Sequence, residues 1–442
     1  MKTKAVIENG FKETETGLIP EDWETTTLEN EKLFEFTNGL WKGKKVPFAA
    51  AKVIRNTNFN NDGTLSLDDV AELDVEEKQF IKRQLSGGDI ILERSGGGPK
   101  QPVGRVVFFD LKEGNYSFSN FTTRIRVKDI NKIQPKYILY YLLHFYNRGC
   151  TYELQQRTTG IRNLNFKDYK KIQVPLPSLT EQQKIIFVLS KIQQTIEQQD
   201  GIIETTRELK KSLMNKLFTE GLHGEEQKET EIGLMPKSWR IEIVINIVEK
   251  TKQKNPSQTP ELTFKYIDVS GISNEFYKII EYRTYNGSNA PSRARKLVKT
   301  DDVLFATVRP TLRRMAYIDE KYNGEICSTA FCVLRSKRSV LSSLYLYYCV
   351  QRDEFIEELA KLQRGASYPA ITDNDVKRQQ IPLPSFREQN EITDILSSID
   401  KKISQDESKK QTLQDLFKTM LNQLMSGKVR VKDLDFEVNQ NV

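Results

Sequence analysis

One stretch constrains this chain more than any other, because it occurs twice. Val174–Glu220 opens VPLPSLTEQQKIIFVLSKIQQTIEQQD and closes KKSLMNKLFTE; 207 positions further on come IPLPSFREQNEITDILSSIDKKISQDE and FKTMLNQLMSG, with no gap. Pro175, Pro177, Glu181 and Gln182 return as Pro382, Pro384, Glu388 and Gln389. The apolar positions Ile185, Leu189, Ile192, Ile196, Leu209 and Leu217 return as Ile392, Leu396, Ile399, Ile403, Leu416 and Leu424. A long internal repeat fixes the architecture before any local reading does. It predicts two halves, each closed by the same long helix.

A second signature marks where each half begins. TETGLIPEDWE (Thr14–Glu24) reappears as TEIGLMPKSWR (Thr230–Arg240). Glycine and proline set a turn, and the tryptophan after it is expected to anchor the chain as it enters the domain. Residues 1–13 read as a loose tail. Residues 14–173 read as a mixed α/β domain with short strands in IRNTNF, DIILERS, GRVVFFD and FTTRIRVKD, where β-branched and aromatic residues are dense. A helix is expected at PKYILYYLLHFYNR, with proline in its first turn. Residues 174–221 are the first long helix. Residues 222–380 form a linker and second domain, with strands expected in TFKYIDV, DVLFATV, RMAYIDE and AFCVLRS ahead of LSSLYLYYCVQRDEFIEELAKL. Residues 381–427 are the second long helix, and 428–442 a tail.

The first long helix is expected from Glu181 to Thr219 behind a Thr180 cap, about 58 Å at 1.5 Å per residue. Its apolar stripe is sparse and demands a partner. About sixteen residues (Gly221–Pro236) then lead into the second half. With so short a connector, helices that pack together must pack antiparallel. The expected fold class is therefore α+β: two mixed α/β domains separated by an antiparallel pair of long helices, a coiled coil, in a pseudo-two-fold internal repeat.

Motifs of catalysis are missing. SGGGPKQPVGR (Ser95–Arg105) has glycines but not phosphate-loop spacing, and no Asn-Pro-Pro-aromatic motif of amino-methyltransferases occurs. Two scattered histidines, His144 and His223, build no triad. Asp89 and Glu93 lack the lysine that a nuclease would place two residues on, where Ser95 stands. Four irregular cysteines do not have zinc-ligand spacing, so no metal is expected. No window approaches ~20 apolar residues, and the start has no apolar signal core, so a cytoplasmic chain with no membrane partner is expected.

Basic clusters say more. The chain carries 67 Lys+Arg against 60 Asp+Glu, a net +7 that permits a polyanion partner. Lys42, Lys44 and Lys45 crowd beside Trp41, and Arg94, Ser95 and Lys100 flank the glycine turn. Arg293, Arg295, Arg309, Arg313 and Arg314 bracket a strand of the second domain. A loop before each helix matches its counterpart: Thr158, Thr159 and Arg162 in QRTTGIRNLN, and Arg364, Ser367 and Tyr368 in QRGASYPAIT. Such residues supply phosphate contacts and can read guanine edges, so all of them are candidate double-stranded DNA contacts. Two different domains held apart by stiff helices would read two different DNA segments separated by a fixed gap.

TETGLIPEDW with TEIGLMPKSW, GGDIILERSGG with TDDVLFATVRP, and VPLPSLTEQQKI with IPLPSFREQNEI together resemble the specificity subunits of type I restriction–modification systems over essentially the whole chain. That resemblance implies two target-recognition domains reading a bipartite, asymmetric DNA site. It implies helices that dock two modification subunits, which are S-adenosylmethionine-dependent adenine-N6 methyltransferases, and restriction subunits that join as ATP-driven translocases with nuclease activity. Docking is expected along Glu181, Gln182, Ile185, Leu189, Ile192, Ile196 and Leu217, and along Glu388, Gln389, Ile392, Leu396, Ile399, Ile403 and Leu424. The chain itself is expected to be non-catalytic and without a cofactor; S-adenosylmethionine, ATP and Mg belong on the partners. A self-contained methyltransferase or nuclease with degenerate motifs, or a structural coiled-coil dimeriser, are the alternatives.

Overall fold

The computed structural model describes residues 10–434 apart from 16, 42, 44, 99–100, 113 and 159–160, and at 157–158 the backbone alone. The chain divides into two compact units, 1–200 with 409–442, and 201–408. Each is α+β.

In the first unit a four-stranded antiparallel sheet runs in the order Phe34–Asn38, Thr122–Val127, Asp89–Glu93, Val106–Phe109. The apolar run Ile90, Ile91 and Leu92 makes sense in the central strand Asp89–Glu93, whose five residues are all buried. Helix Pro135–Asn147, with proline in its first turn as expected, buries Tyr137 through His144 in the same core. A smaller sheet, Tyr116–Phe118 with Phe48–Ile54 and Ala71–Glu76, flanks it. The expected strand at IRNTNF is instead the end of Phe48–Ile54 followed by a single helical turn at Asn56–Asn58.

In the second unit, Val303–Ala306 is the buried central strand between Phe331–Ser336 and Met315–Tyr317. A further sheet joins Arg283–Asn286, Thr263–Ile267, Ile326–Ser328 and Ala294–Leu297. The expected helix LSSLYLYYCVQRDEFIEELAKL is two helices, Ser343–Cys349 and Asp353–Lys361, broken around Val350–Arg352. One ion pair is built twice on this frame and escaped the sequence reading. Buried Asp89 takes both arms of Arg126 at 2.7 Å, and buried Asp302 takes Arg335 at 2.8 and 2.6 Å.

The long helices run Leu179–Glu220 and Phe386–Met425, 42 and 40 residues. Ser178 and Ser385 cap them through the Glu181 and Glu388 amides at 3.3 and 3.2 Å, so the cap is Ser178 and not Thr180. Gln182 and Gln389 explain why the Glu-Gln pair recurs. Gln182 donates to the Lys132 and Pro177 carbonyls, both at 3.0 Å, and accepts the Gln134 amide at 3.0 Å. Gln389 does the same with Val340 (3.1 Å), Pro384 (3.1 Å) and Ser342 (2.8 Å). A buried amide bonded on both its ends locks the helix start to its own domain. The tryptophans complete each joint from below: both are buried, and their indoles donate to Glu181 at 3.2 Å and to Glu388 at 3.0 Å.

Within each unit the two helix segments run antiparallel. In the first, Asp200 pairs with Lys410, and Glu181 meets Arg430. In the second, Arg207 pairs with Glu407 at 2.9 Å and Lys210 with Asp400 at 2.7 Å, while Leu217 shares a core with Ile392 and Leu396.

The ends of the chain are not both loose. Phe11–Thr14 is a strand paired with Gly17–Pro20, so Phe11, Lys12 and Glu13 do not belong to the expected tail 1–13. Of the expected tail 428–442, Val431 is buried in the first unit's core and Arg430 clasps Asp22 at 2.8 Å.

Candidate nucleic-acid interface

The central strand of each unit runs out at one sheet edge, and the candidate residues gather there. In the second unit, Thr307 donates its amide and hydroxyl to the Ala330 carbonyl at 2.8 and 2.9 Å, and Val308 bridges to Ala370. Arg309 then turns left-handed (φ +49°) with its amide on the Pro369 carbonyl at 2.7 Å; a helical turn Pro310–Leu312 follows, and Arg313 is left-handed again. Beside it, Arg364 and Ala370 exchange backbone hydrogen bonds at 3.0 and 2.9 Å, closing a tight hairpin. At that hairpin the Arg309 guanidinium lies 4.9 Å from the centre of the Tyr368 ring and donates to the Ser367 carbonyl at 3.2 Å. Tyr368 is 73% exposed. Arg293 is exposed one strand away, its carbonyl holding the Thr329 amide at 2.9 Å. The structure thus gathers Arg293, Arg309, Arg364, Ser367 and Tyr368 on one edge.

Three other expected contacts are spent inside the unit. Arg314 donates to the Val269 and Ile272 carbonyls at 2.8 and 2.9 Å, Arg295 to Ala294 at 2.8 Å, and Arg313 to Asp353 and the Gln351 carbonyl. They brace the loops. Sequence cannot separate the two groups, because a left-handed residue redirects the side chains around it.

In the first unit the corresponding edge is Ser95–Gly97 joined to the hairpin Gln155–Thr158 and Ile161–Leu164. Ser95 donates to Asn163 at 2.5 Å, and Arg162 to Gln155 at 3.3 Å. Arg94 is a brace: it donates to Asn38 at 2.7 Å and stacks 4.4 Å over Phe166, where burial pulls its pKa down. Trp41 (68% exposed) and Lys45 stand on the neighbouring loop, tied in by the Leu40–Ser119 bridge. Gly39 is required there, since a Cβ would collide with the Ser119 carbonyl. Lys42, Lys44, Lys100 and Thr159 lie outside the described residues, as does the side chain of Thr158. Exposed Trp41, Phe121 and Ile161 went unranked as contacts; an apolar side chain in a strand-rich segment reads as core.

The carboxylates that invite a nuclease reading are committed to arginines. Glu93 is bound by buried Arg105 through two hydrogen bonds of 2.9 Å, and Asp89 by Arg126. Among the described residues, no group of three or more His, Cys, Asp or Glu could hold a metal ion.

The family model for the type I restriction modification DNA specificity domain matches residues 20–206 and 238–415, one copy in each half. The chain belongs to the specificity subunits of type I restriction–modification systems. The type I restriction enzyme MjaVIII specificity subunit of Methanocaldococcus jannaschii is 27% identical over 445 residues, covering 97% of this chain and 98% of the relative. The HindI specificity subunit of Haemophilus influenzae is 24% identical over 153 residues, 34% of this chain and 33% of the relative. The crystal structure of the type I S subunit from M. genitalium shares the fold over 96% of this chain and 99% of its own, at TM-score 0.53 and 15% identity. DNA sequence recognition is the function of this specificity subunit, and the basic edges are its candidate contact surfaces.

The helix stripe needs a correction. Ile185, Leu189, Ile196, Leu217, Ile392, Leu396, Ile403 and Leu424 are buried within their own units, Ile192 and Ile399 are half-buried, and Glu181, Gln182, Glu388 and Gln389 form the joints. The buried ones are covered within their own units and offer no docking surface. Leu209 and Leu416 behave oppositely. They were expected to belong to the packed stripe, yet are 58% and 44% exposed.

Proposed function

We propose that this specificity subunit reads a bipartite, asymmetric DNA site, one part with each unit, and scaffolds two modification subunits and the restriction subunits around it. One observation carries the reading: a single frame bears two different edges. The Asp–Arg pair, the joint glutamine and the edge hairpin recur in both units, while Gly96, Arg162 and Ile161 in one stand where Arg309, Pro369 and Tyr368 stand in the other. A common frame with exchanged edge residues suits two different base sequences.

The long helices set the gap between the two parts, through length and not through any one residue. Docking of the modification subunits falls to exposed apolar side chains on those helices, Leu209, Leu416 and Ile202, in place of the buried stripe. The chain contributes no catalytic group; S-adenosylmethionine, ATP and Mg act on the partner subunits, in the cytoplasm. No described helix is long and apolar enough to cross a membrane.

The purified chain, incubated with labelled S-adenosylmethionine and duplex DNA, should transfer no methyl group. Adding its modification subunit should place methyl groups on adenines within one two-part motif. Transfer by the chain alone would establish the enzyme alternative, and methylation without a two-part motif would remove the reading.

A further inference from the structure

We infer that Arg309 reads a guanine edge in the part of the DNA site recognised by the second unit, with Tyr368 as its positioning residue; this rests on the two-part reading above. Of the basic candidates in this unit, Arg295, Arg313 and Arg314 are bound to the unit's own carbonyls or to Asp353. Arg293, Arg309 and Arg364 are exposed. Among these three, Arg309 is the one held in position. Its backbone sits in the left-handed region (φ +49°), where a side-chain-bearing residue is strained, and the 2.7 Å bond to the Pro369 carbonyl keeps it there. Its guanidinium is held 4.9 Å from the Tyr368 ring centre, and one terminal nitrogen is tied to the Ser367 carbonyl at 3.2 Å.

An exposed arginine fixed on three sides has lost its freedom before any partner arrives. A phosphate contact needs no such fixing, because a flexible cation finds a phosphate readily. Nη2 carries two N–H groups and the Ser367 carbonyl takes one; the other still pairs with the N–H beside it on Nε or on the other terminal nitrogen, a planar fork that matches the O6 and N7 acceptors of guanine in the major groove. Tyr368 keeps the plane of the fork. Arg293 and Arg364 have the exposure and charge of phosphate contacts without that constraint.

The test compares R309K, Y368L and R364K in the full chain co-expressed with its modification subunit, read by sequencing methylated adenines and by binding to single-base site variants. R309K keeps the charge and removes the fork. Preference for one guanine in one part of the motif should fall roughly five- to a hundredfold, with the other part unchanged. Y368L should relax the same position to a smaller degree without speeding backbone hydrogen exchange in the second unit. R364K, which keeps the charge a phosphate contact needs, should leave base preference unchanged at every position. An unchanged motif in R309K, uniform weakening without loss of base preference, or a Y368L effect confined to hydrogen exchange would each overturn the assignment while leaving the two-part reading standing. A wild-type complex with no two-part preference would overturn both.

Discussion

The joint at the start of the first long helix rests on a charge that has been taken out of water. Glu181 is 2% exposed. Its carboxylate accepts Arg430 twice, at 2.7 and 2.8 Å, and the Trp23 indole at 3.2 Å; Arg430 also grips Asp22 through two bonds of 2.8 Å. Arg430→Met leaves that carboxylate with the indole alone. Removing one partner of a buried pair costs ~3–5 kcal/mol. Arg430's side chain is 23% exposed, so water relieves part of this, and we expect about 2–3 kcal/mol. The Asp22 bonds are on the surface and add little. Glu181→Met combined with Arg430→Met removes both charges and should recover most of the loss. A chain of two units does not give one clean melting transition, so backbone hydrogen exchange at residues 20–27 and 427–434 is the better assay. The single variant should exchange there roughly 30- to 150-fold faster, at 1.4 kcal/mol per tenfold. The double should fall near wild type, and residues 236–243 should be unaffected. Less than threefold acceleration in the single, or a double as labile as the single, would refute the reasoning.

Gly427 sits at φ +69° with Pro20 and Trp23 against its missing side chain, so Gly427→Ala should cost ~2–4 kcal/mol, seen as faster exchange in the same two segments. His144 is buried, and burial, aided by Arg148, lowers its pKa to about 4. The folded unit therefore favours the neutral ring. Stability from this residue is full above pH ~6.5 and lost as pH falls toward 4, by ~3 kcal/mol in all; His144→Phe should flatten that part of the pH–stability curve. Burial pushes the Cys332 and Cys349 thiols up to about 12 and Cys327 higher still, so a thiol reagent at pH 8 should modify only half-buried Cys150 in the native chain and all four in urea.

The repeated Pro-Leu-Pro and Glu-Gln residues carried most of what the sequence could say, because each has a fixed task at a joint that is built twice. The buried strands were legible for a similar reason: Ile90, Ile91 and Leu92 in DIILE and all of VLFA are apolar. What stayed hidden depends on side-chain direction. Arg309 and Arg314 are five residues apart and equally basic, yet one faces outward and the other closes a loop onto Val269 and Ile272. Ile185 and Leu209 share a helical stripe, but only Ile185 has a domain packed over it. Ser178 displaced Thr180 as the cap because the helix begins one residue earlier than Thr180, at Leu179.

The central claim is that helix length sets the gap in the DNA site. Seven residues of helix-forming sequence inserted after Asp200 and again after Ser408 would preserve the heptad register and add ~10.5 Å to each helix. At 3.4 Å per base pair that is about three base pairs. Sequencing of methylated adenines should then return the wild-type motif with both parts intact and a gap longer by about three base pairs. An unchanged gap in an active complex would contradict the account.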